Sequence, residues 1–266
     1  RLRDELKKVA DVDVRSPASP QEWAKAIKGV HAIAGVEDRV DEALLKPADR
    51  LEMIQTISVG YNHIDVQACT KKGVIVSNVP EVYSEPVAQH AWALILDLSK
   101  HVTKADRSMR DGTWDVKNWM GSQLWGKTMG IIGLGSIGGR VAMKGRLAFG
   151  MKVLAHDPYI RPERAQLFGA ELTSLENLLK GSDVVSINVL LTPETRHLVG
   201  ERQLSMMKKS AFIVNTSRGP VIDEKALITA LKENKIAGAG LDVFETEPLP
   251  LDSPLLKMEN VVLTPH

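Results

Sequence analysis

The sequence predicts an α/β protein of two domains, the larger of which is built on a doubly wound parallel sheet. Three observations indicate this. Short apolar strands alternate with amphipathic helices along most of the 266 residues, a pattern typical of parallel sheets. One strand runs directly into a glycine-rich turn and a helix. The strand after that helix ends on an acidic residue, Asp157.

The composition is that of a globular protein, with 44% apolar and 25% charged residues. A net charge of +1 gives no basis for nucleic-acid binding, and no apolar run of about 18 residues predicts a membrane span. The single cysteine, Cys69, excludes an internal disulfide. We therefore expect a cytoplasmic protein. Because the sequence lacks an initial methionine and stops at His266, we also expect it to be part of a longer protein.

Residues 1–80 form the predicted first domain, which we expect to be the smaller, substrate-binding one. Helices are expected around 20–27, 41–45 and 65–72. The predicted strands are Val12–Val14, Ala32–Gly35, Met53–Ile57 and Val74–Ser77.

Residues 81–266 form the predicted second domain. Apolar residues at helical spacing predict one long helix from Glu85 to Arg110. Thr192-Pro193 is typical of a helix start, and Asp223 is the expected N-cap of a helix over 224–233. The predicted strands are Met129–Ile132, Val153–His156, Val184–Val189, Ala211–Asn215, Gly238–Val243 and Val261–Thr264.

Gly133, Gly135 and Gly138 match the pattern G-x-G-x-x-G between a strand and a helix. The first glycine permits the tight turn, the second lets the backbone approach a pyrophosphate, and the third lets helix and strand pack closely. The helix N-terminus then favours the phosphate. A structural turn with an incidental acid is the alternative. The pattern predicts a Rossmann domain that binds NAD, because the Asp157 carboxylate suits ribose hydroxyls and repels the 2′-phosphate of NADP. Arg161, nearby in sequence, weakens that preference.

Four polar residues follow the ends of predicted strands: Arg218, Asp242, Glu247 and His266. The carboxyl ends of strands in a doubly wound sheet share one crevice with the glycine loop. Arginine suits a substrate carboxylate, and histidine suits proton transfer near neutral pH. Each residue alone could be structural. Together they predict hydride transfer between NAD and a small 2-hydroxy or 2-keto acid. The histidines show no metal-ligand spacing, so we expect no metal.

These residues and their neighbours resemble the D-isomer-specific 2-hydroxyacid dehydrogenases. That family includes glyoxylate and hydroxypyruvate reductases, phosphoglycerate dehydrogenases and D-lactate dehydrogenases. The resemblance is densest from Gly126 to His266 and implies a Rossmann domain with a smaller flavodoxin-like substrate domain. The matching segments are Gly126–Thr128, Gly133–Gly138, Leu191–Thr195, Val214–Gly219, Ala239–Phe244 and Leu263–His266.

The resemblance also implies roles for individual residues. Arg218 matches the substrate-binding arginine, Glu247 the acid that pairs with the catalytic histidine, and His266 that histidine. Asp242 matches the residue that holds the nicotinamide carboxamide. The N–H groups of Val59 and Gly60 match the loop that binds the substrate carboxylate. Further expected cofactor contacts are Ser84, Ser136, Ile137, Val189, Leu190, Thr195, Thr216 and Ser217.

Three positions depart from the family pattern. Gln89 replaces a frequent Glu, Asn188 a frequent His, and Leu190 a frequent Pro; none touches the expected chemistry directly. The first domain looks closest to glyoxylate and hydroxypyruvate reductases. The alternatives are a phosphoglycerate dehydrogenase and a non-catalytic, NAD-sensing corepressor-like protein. The family also implies a homodimer, formed through the cofactor domain and the 85–125 region.

Overall fold

The computed structural model describes residues 2–36 and 38–266 and divides the chain into two compact units, which join between Pro80 and Glu81. We call them the first unit and the second unit. In the described residues, no helix has both the length and the apolar character needed to cross a membrane. The helices of the first unit are α1 (Leu2–Leu6), α2 (Pro20–Ala26), α3 (Glu42–Leu45) and α4 (Val66–Lys71). Its strands are β1 (Ala32–Ala34), β2 (Met53–Gln55) and β3 (Ile75–Ser77).

The first unit is built on a three-stranded parallel sheet in the order β1-β2-β3. Ile54, in the central strand, is fully buried. It belongs to a core that also takes residues from α3, α4 and the connecting loops, among them Leu45, Ala68 and Cys69. The side chains of Asp41 and Asp65 accept hydrogen bonds from backbone N–H groups at the starts of α3 and α4, as good N-caps do.

The prediction of a strand at Val12–Val14 was wrong. Residues 11–18 adopt neither helix nor strand, and Val14 is 64% exposed. A strand is stabilised by pairing with a neighbour and by burial of one face, and the described residues provide neither here.

The second unit holds seven strands and seven α-helices among its described residues. The helices are α5 (Ser84–Lys100), α6 (Val102–Arg110), α7 (Ser136–Phe149), α8 (Pro162–Leu167), α9 (Leu175–Gly181), α10 (Glu201–Met206) and α11 (Glu224–Lys232). The strands are β4 (Thr128–Ile132), β5 (Lys152–His156), β6 (Glu171–Leu172), β7 (Val184–Ile187), β8 (Phe212–Asn215), β9 (Gly238–Leu241) and β10 (Val261–Leu263).

These strands form one parallel sheet in the order β10-β9-β8-β7-β4-β5-β6. The strand order reverses between β4 and β7, where an open α/β sheet leaves a crevice at the carboxyl ends. The two faces of the sheet carry separate apolar cores. On one face α5 packs against α7, where the Trp92 and Phe149 rings stack with centroids 4.2 Å apart. The predicted α/β fold class is confirmed.

The predicted single helix over 85–110 is two helices. His101 adopts a left-handed conformation with φ of 59° and separates α5 from α6. The cause is local, because the Asp97 carboxylate accepts hydrogen bonds from the Thr103 backbone N–H (2.8 Å) and hydroxyl. Asp97 thus caps the start of α6. The expected helix at Thr192-Pro193 was also wrong, since this segment forms turns closed by Thr192 and Thr195.

Candidate active site

The glycine loop joins β4 to α7 and has the geometry that its three glycines predict. Gly133 has φ of +85°, in the left-handed region that favours glycine. A Cβ on Gly138 would lie 2.0 Å from the Gly133 carbonyl oxygen, so the helix can start here only without a side chain. Gly135 is exposed, and a Cβ there would meet no heavy atom within 4 Å. The loop is therefore closely packed at Gly133 and Gly138 and open to solvent at Gly135, as a pyrophosphate site requires.

Asp157 follows β5 and lies against this loop. One carboxylate oxygen accepts the Leu134 N–H and the other accepts the Tyr159 N–H, each at 2.9 Å. Both bonds orient the carboxylate beside the glycine turn. Each oxygen keeps a further lone pair for a ribose hydroxyl.

The polar groups around the loop fit a dinucleotide. The first hydrogen bond of α7 runs from the Gly139 N–H to the Gly135 oxygen, which leaves the N–H groups of Ser136 and Ile137 for an anion. Thr216 Oγ1 and Asn188 Oδ1 are buried and have no hydrogen-bond partner in the described part of the chain. A buried polar atom is normally satisfied, so these two atoms at the ends of β8 and β7 support a polar ligand in the crevice.

His266 and Glu247 form a hydrogen-bonded pair. His266 Nδ1 lies 2.7 Å from Glu247 Oε2, and Glu247 Oε1 accepts the Phe244 N–H at 2.9 Å. A carboxylate only accepts, so Nδ1 carries the proton of this bond. The imidazole side chain is 47% exposed. Its Nε2 is therefore the nitrogen left for proton exchange with a bound molecule.

Arg218 is positioned by the backbone that surrounds it. A Cβ on the next residue, Gly219, would lie 1.8 Å from the Phe244 carbonyl oxygen, so this glycine lets the arginine loop pass directly beside the segment that leads to Glu247. The buried Asn215 side chain donates to the Arg218 carbonyl at 2.9 Å. Burial lowers the pKa of the Arg218 guanidinium from its ordinary value, while the Glu247 charge opposes this. Arginine stays protonated in such sites, so a fixed cation lies near the pair.

Asp242 follows β9 and takes part in a three-residue network. Its Oδ1 accepts the Thr264 hydroxyl at 2.6 Å, and His90 Nε2 lies 3.2 Å from the same oxygen and 2.9 Å from Thr264 Oγ1. The Asp242 side chain is 17% exposed.

Comparison with known proteins decides the family. Residues 92–266 match the NAD binding domain of the D-isomer specific 2-hydroxyacid dehydrogenases. A glyoxylate reductase of Korarchaeum cryptofilum is 45% identical over 257 residues, which are 94% of this chain and 77% of that protein. The chain belongs to the D-isomer-specific 2-hydroxyacid dehydrogenase family.

Two further relatives support the same family assignment. A D-3-phosphoglycerate dehydrogenase of Methanocaldococcus jannaschii is 43% identical, and the match covers 98% of this chain and 50% of that protein. The crystal structure of a D-lactate dehydrogenase from Aquifex aeolicus, complexed with NAD and lactic acid, has a TM-score of 0.83 and 39% identity. That match covers 91% of this chain and 78% of the other. The predicted family, a dehydrogenase activity on 2-hydroxy acids and a nicotinamide cofactor are thereby confirmed.

The remaining predicted site residues of the second unit lie in four places. Val189 borders the glycine loop, since its Cγ1 would lie 2.7 Å from a Cβ on Gly133. Thr195 Oγ1 donates to the Leu190 carbonyl at 2.6 Å and closes the turn after β7, while Leu190 itself is 52% exposed. Ser217 is held by the Asn215 side chain. Ser84 is fully buried at the first residue of α5, and its cofactor contact stays a prediction.

Val59 and Gly60 belong to the first unit, in the loop after β2. The loop is ordered by the Ser58 hydroxyl, which donates to the Gly60 carbonyl, and by Asn78, which donates to the Val59 carbonyl, both at 2.8 Å. Among the residues that the structure describes, none accepts a hydrogen bond from the Val59 or Gly60 N–H group. Such free donors suit a carboxylate, and their role stays a prediction.

Sequence reasoning missed three residues around the site. Asn215, His90 and Thr264 each orient a predicted site residue. Asn215 and Thr264 carry a recognisable signal, because each is a polar side chain at the end of an apolar strand. His90 lies 174 residues from Thr264 along the chain, so no sequence pattern predicts their contact. In the described part of the chain, no group of three or more His, Cys, Asp or Glu residues is placed to hold a metal.

Proposed function

We propose that this protein reduces a small 2-keto acid, such as glyoxylate or hydroxypyruvate, to the corresponding 2-hydroxy acid with NADH. The observation that carries the proposal is the pair formed by His266 and Glu247, with Arg218 held beside it. This arrangement supplies a proton donor and a fixed cation, which are the two polar groups that the reaction needs.

A nicotinamide cofactor held by the glycine loop and Asp157 would supply the hydride for the keto carbon. His266, protonated on both nitrogens, gives its Nε2 proton to the carbonyl oxygen. Glu247 accepts the Nδ1 hydrogen bond throughout, so it fixes the ring and stabilises the imidazolium before transfer. Arg218 binds the substrate carboxylate and polarises the carbonyl. In the oxidation of a hydroxy acid, neutral His266 takes the hydroxyl proton at the same nitrogen.

The choice of NAD over NADP is part of this proposal. Asp157 supports it, because its carboxylate is aimed at the glycine loop by two backbone N–H groups. A negative charge fixed there repels a 2′-phosphate. The related D-lactate dehydrogenase of Aquifex aeolicus was crystallised with NAD.

The substrate assignment rests on the glyoxylate reductase of Korarchaeum cryptofilum. The D-3-phosphoglycerate dehydrogenase of Methanocaldococcus jannaschii, at 43% identity, supports the second candidate, oxidation of a phosphorylated hydroxy acid. A predicted cytoplasmic location and a homodimer complete the proposal. Exposed apolar side chains in the loop between α6 and β4 support the dimer: Trp114, Val116, Met120 and Trp125.

An NADH-consumption assay with glyoxylate, hydroxypyruvate, pyruvate and phosphohydroxypyruvate tests the function. We expect turnover of glyoxylate or hydroxypyruvate, and a loss in kcat of at least about 10²-fold in His266→Ala with the Kd for NADH unchanged. Exclusive turnover of phosphohydroxypyruvate would favour the second candidate. NADH binding with no turnover of any of the four acids would contradict the proposal and favour the NAD-sensing alternative.

A further inference from the structure

His90 lies on α5, outside the glycine loop and the His266–Glu247 pair, and yet contacts Asp242. The position follows from the packing of α5 on β9. Gly238 and Gly240 face the helix, where a Cβ on Gly240 would lie 3.0 Å from Leu94 Cβ. Side chains two residues apart share one face of a strand, so Asp242 follows on that same face.

The spacing of side chains along α5 places His90 beside this carboxylate. His90 precedes Leu94 by four residues, so the two side chains lie on one face of α5. Val262 packs in the same core as Leu94, and Thr264 follows it at the spacing of two that keeps side chains on one face of a strand. Close packing over two glycines therefore places the His90 imidazole against Thr264 and Asp242.

The hydrogen bonds within this network have one consistent direction. The Thr264 hydroxyl, 2.6 Å from Asp242 Oδ1, must donate to it because a carboxylate only accepts. Thr264 Oγ1 can then only accept from His90 Nε2 at 2.9 Å, so Nε2 carries a proton. His90 Nε2 also lies 3.2 Å from Asp242 Oδ1, but its hydrogen bond goes to Thr264. The Thr264 hydroxyl therefore links the His90 imidazole to this carboxylate oxygen.

The other oxygen of Asp242 is left available. Oδ2 accepts no hydrogen bond from the residues that the structure describes, although the side chain is mostly buried. We propose that His90 is a positioning residue, which with Thr264 fixes Asp242 through Oδ1 and so presents Oδ2 to the N–H of the nicotinamide carboxamide. This inference rests on the proposed cofactor-binding role of Asp242. It adds a residue that sets how the nicotinamide ring is oriented.

The test compares two reduced cofactors, NADH and the 3-acetylpyridine analogue, in which a methyl group replaces the carboxamide NH₂. In His90→Leu, we expect the Kd for NADH to rise about fivefold, as for the loss of one hydrogen bond, with the Kd for the analogue unchanged. Thr264→Val should also raise the Kd for NADH and leave the Kd for the analogue unchanged. His90→Gln, whose amide nitrogen reaches the Nε2 position, should restore NADH binding. Gln89→Leu, on the exposed side of α5, is the matched control and should bind both cofactors normally.

The outcomes separate this inference from the function on which it rests. Asp242→Leu, which removes both acceptor oxygens, should abolish the preference for NADH over the analogue. If it does not, the carboxamide role of Asp242 is wrong, and the role of His90 falls with it. If Asp242→Leu abolishes the preference and His90→Leu leaves it intact, or weakens both cofactors equally, the positioning role alone is wrong.

Discussion

His266 and Glu247 are joined by a bond of 2.7 Å between Nδ1 and Oε2, and the second oxygen of Glu247 is bound by the Phe244 N–H at 2.9 Å. Both oxygens of the carboxylate are therefore held, one by the loop backbone and the other by the imidazole. In the proposed mechanism, this arrangement leaves Nε2 as the nitrogen that exchanges a proton with the substrate and Glu247 as the residue that orients the ring.

Glu247→Gln should lower kcat/KM by about 10- to 150-fold. The glutamine oxygen can still accept from Nδ1, so the orientation of the ring survives, but the negative charge that favours the imidazolium is lost. A hydrogen bond to a charged group is worth about 1.5–3 kcal/mol, which converts to that range of rates. Steady-state kinetics with the best keto acid of the panel measure the effect.

Glu245 offers a matched control, since it forms a similar pair with His197, with 2.6 Å between Oε1 and Nε2. Glu245→Gln should leave kcat/KM within about twofold, because neither member of that pair is placed to exchange a proton with substrate. Equal losses in Glu245→Gln and Glu247→Gln would show that the effect is one of loop structure rather than of proton transfer.

Two alanine substitutions in the glycine loop should separate folding from cofactor binding. Gly138→Ala places a Cβ 2.0 Å from the Gly133 oxygen, so we expect a loss of stability of about 1–3 kcal/mol or more, measured by urea unfolding. Gly135→Ala meets no atom within 4 Å. It should leave stability unchanged while the Kd for NADH rises at least about tenfold, as measured by fluorescence titration. Normal NADH binding in Gly135→Ala would contradict the proposed pyrophosphate site.

The glycine loop and the placement of Arg218 and His266 could be predicted from the residues themselves, whereas the pairing of Glu247 with His266 was an implication of the family resemblance. Gly133 and Gly138 mark a turn that only glycine fits, and the carboxyl ends of parallel strands always share one edge, which brings Arg218 and His266 to the same side of the sheet. The glycine loop thus follows from local sterics, and the shared position of Arg218 and His266 follows from the parallel strands.

Features that depend on competition between contacts could not be predicted. The apolar periodicity of α5 continues past His101, but the Asp97 carboxylate binds the Thr103 N–H and ends the helix. Val12–Val14 has the composition of a strand, but no strand among the described residues pairs with it. The contact of His90 with Thr264 spans 174 residues, so it depends on how closely α5 packs on β9.

Asp157→Ser should shift the preference of the enzyme towards NADP. Serine removes the charge that repels a 2′-phosphate and most of the acceptor capacity for the ribose hydroxyls. We expect the ratio of kcat/KM for NADPH to that for NADH to rise at least about tenfold. Since Asp157 also binds the Leu134 and Tyr159 N–H groups, thermal melting should accompany the kinetics. An unchanged ratio in a folded variant would show that Asp157 does not select the cofactor.

Asp183 should make the stability of the second unit depend on pH. Burial alone would raise the pKa of this carboxyl, but the Thr128 N–H at 2.9 Å and the Lys208 ammonium at 3.1 Å outweigh burial and lower the pKa from its ordinary value. A lowered pKa stabilises the folded state fully above the unfolded pKa, near 4, and this stabilisation is lost as the pH falls through the folded value.

Asp183→Asn should therefore reduce the free energy of unfolding by about 1–3 kcal/mol at pH 7. The difference from the unsubstituted protein should shrink as the pH falls below about 4. Denaturant unfolding between pH 7 and pH 3 measures it. Asp106→Asn, in an exposed pair with Arg110, should give no measurable change. If the loss of stability in Asp183→Asn is the same at every pH in this range, it is caused by packing rather than by charge.

The exposed apolar side chains between α6 and β4 should form the dimer contact. Trp114 and Met120 are 79% and 74% exposed, and large apolar side chains grouped on a surface usually mark an interface. We expect a dimer by sedimentation equilibrium at micromolar concentration. Trp114→Ser should weaken it by about 30-fold or more, as for an interface residue worth at least 2 kcal/mol. Leu167→Ser, at a leucine on α8 that is 78% exposed, should leave the dimer intact. If the protein is a monomer, the proposed dimer is wrong. If both substitutions weaken the dimer equally, the contact does not lie between α6 and β4.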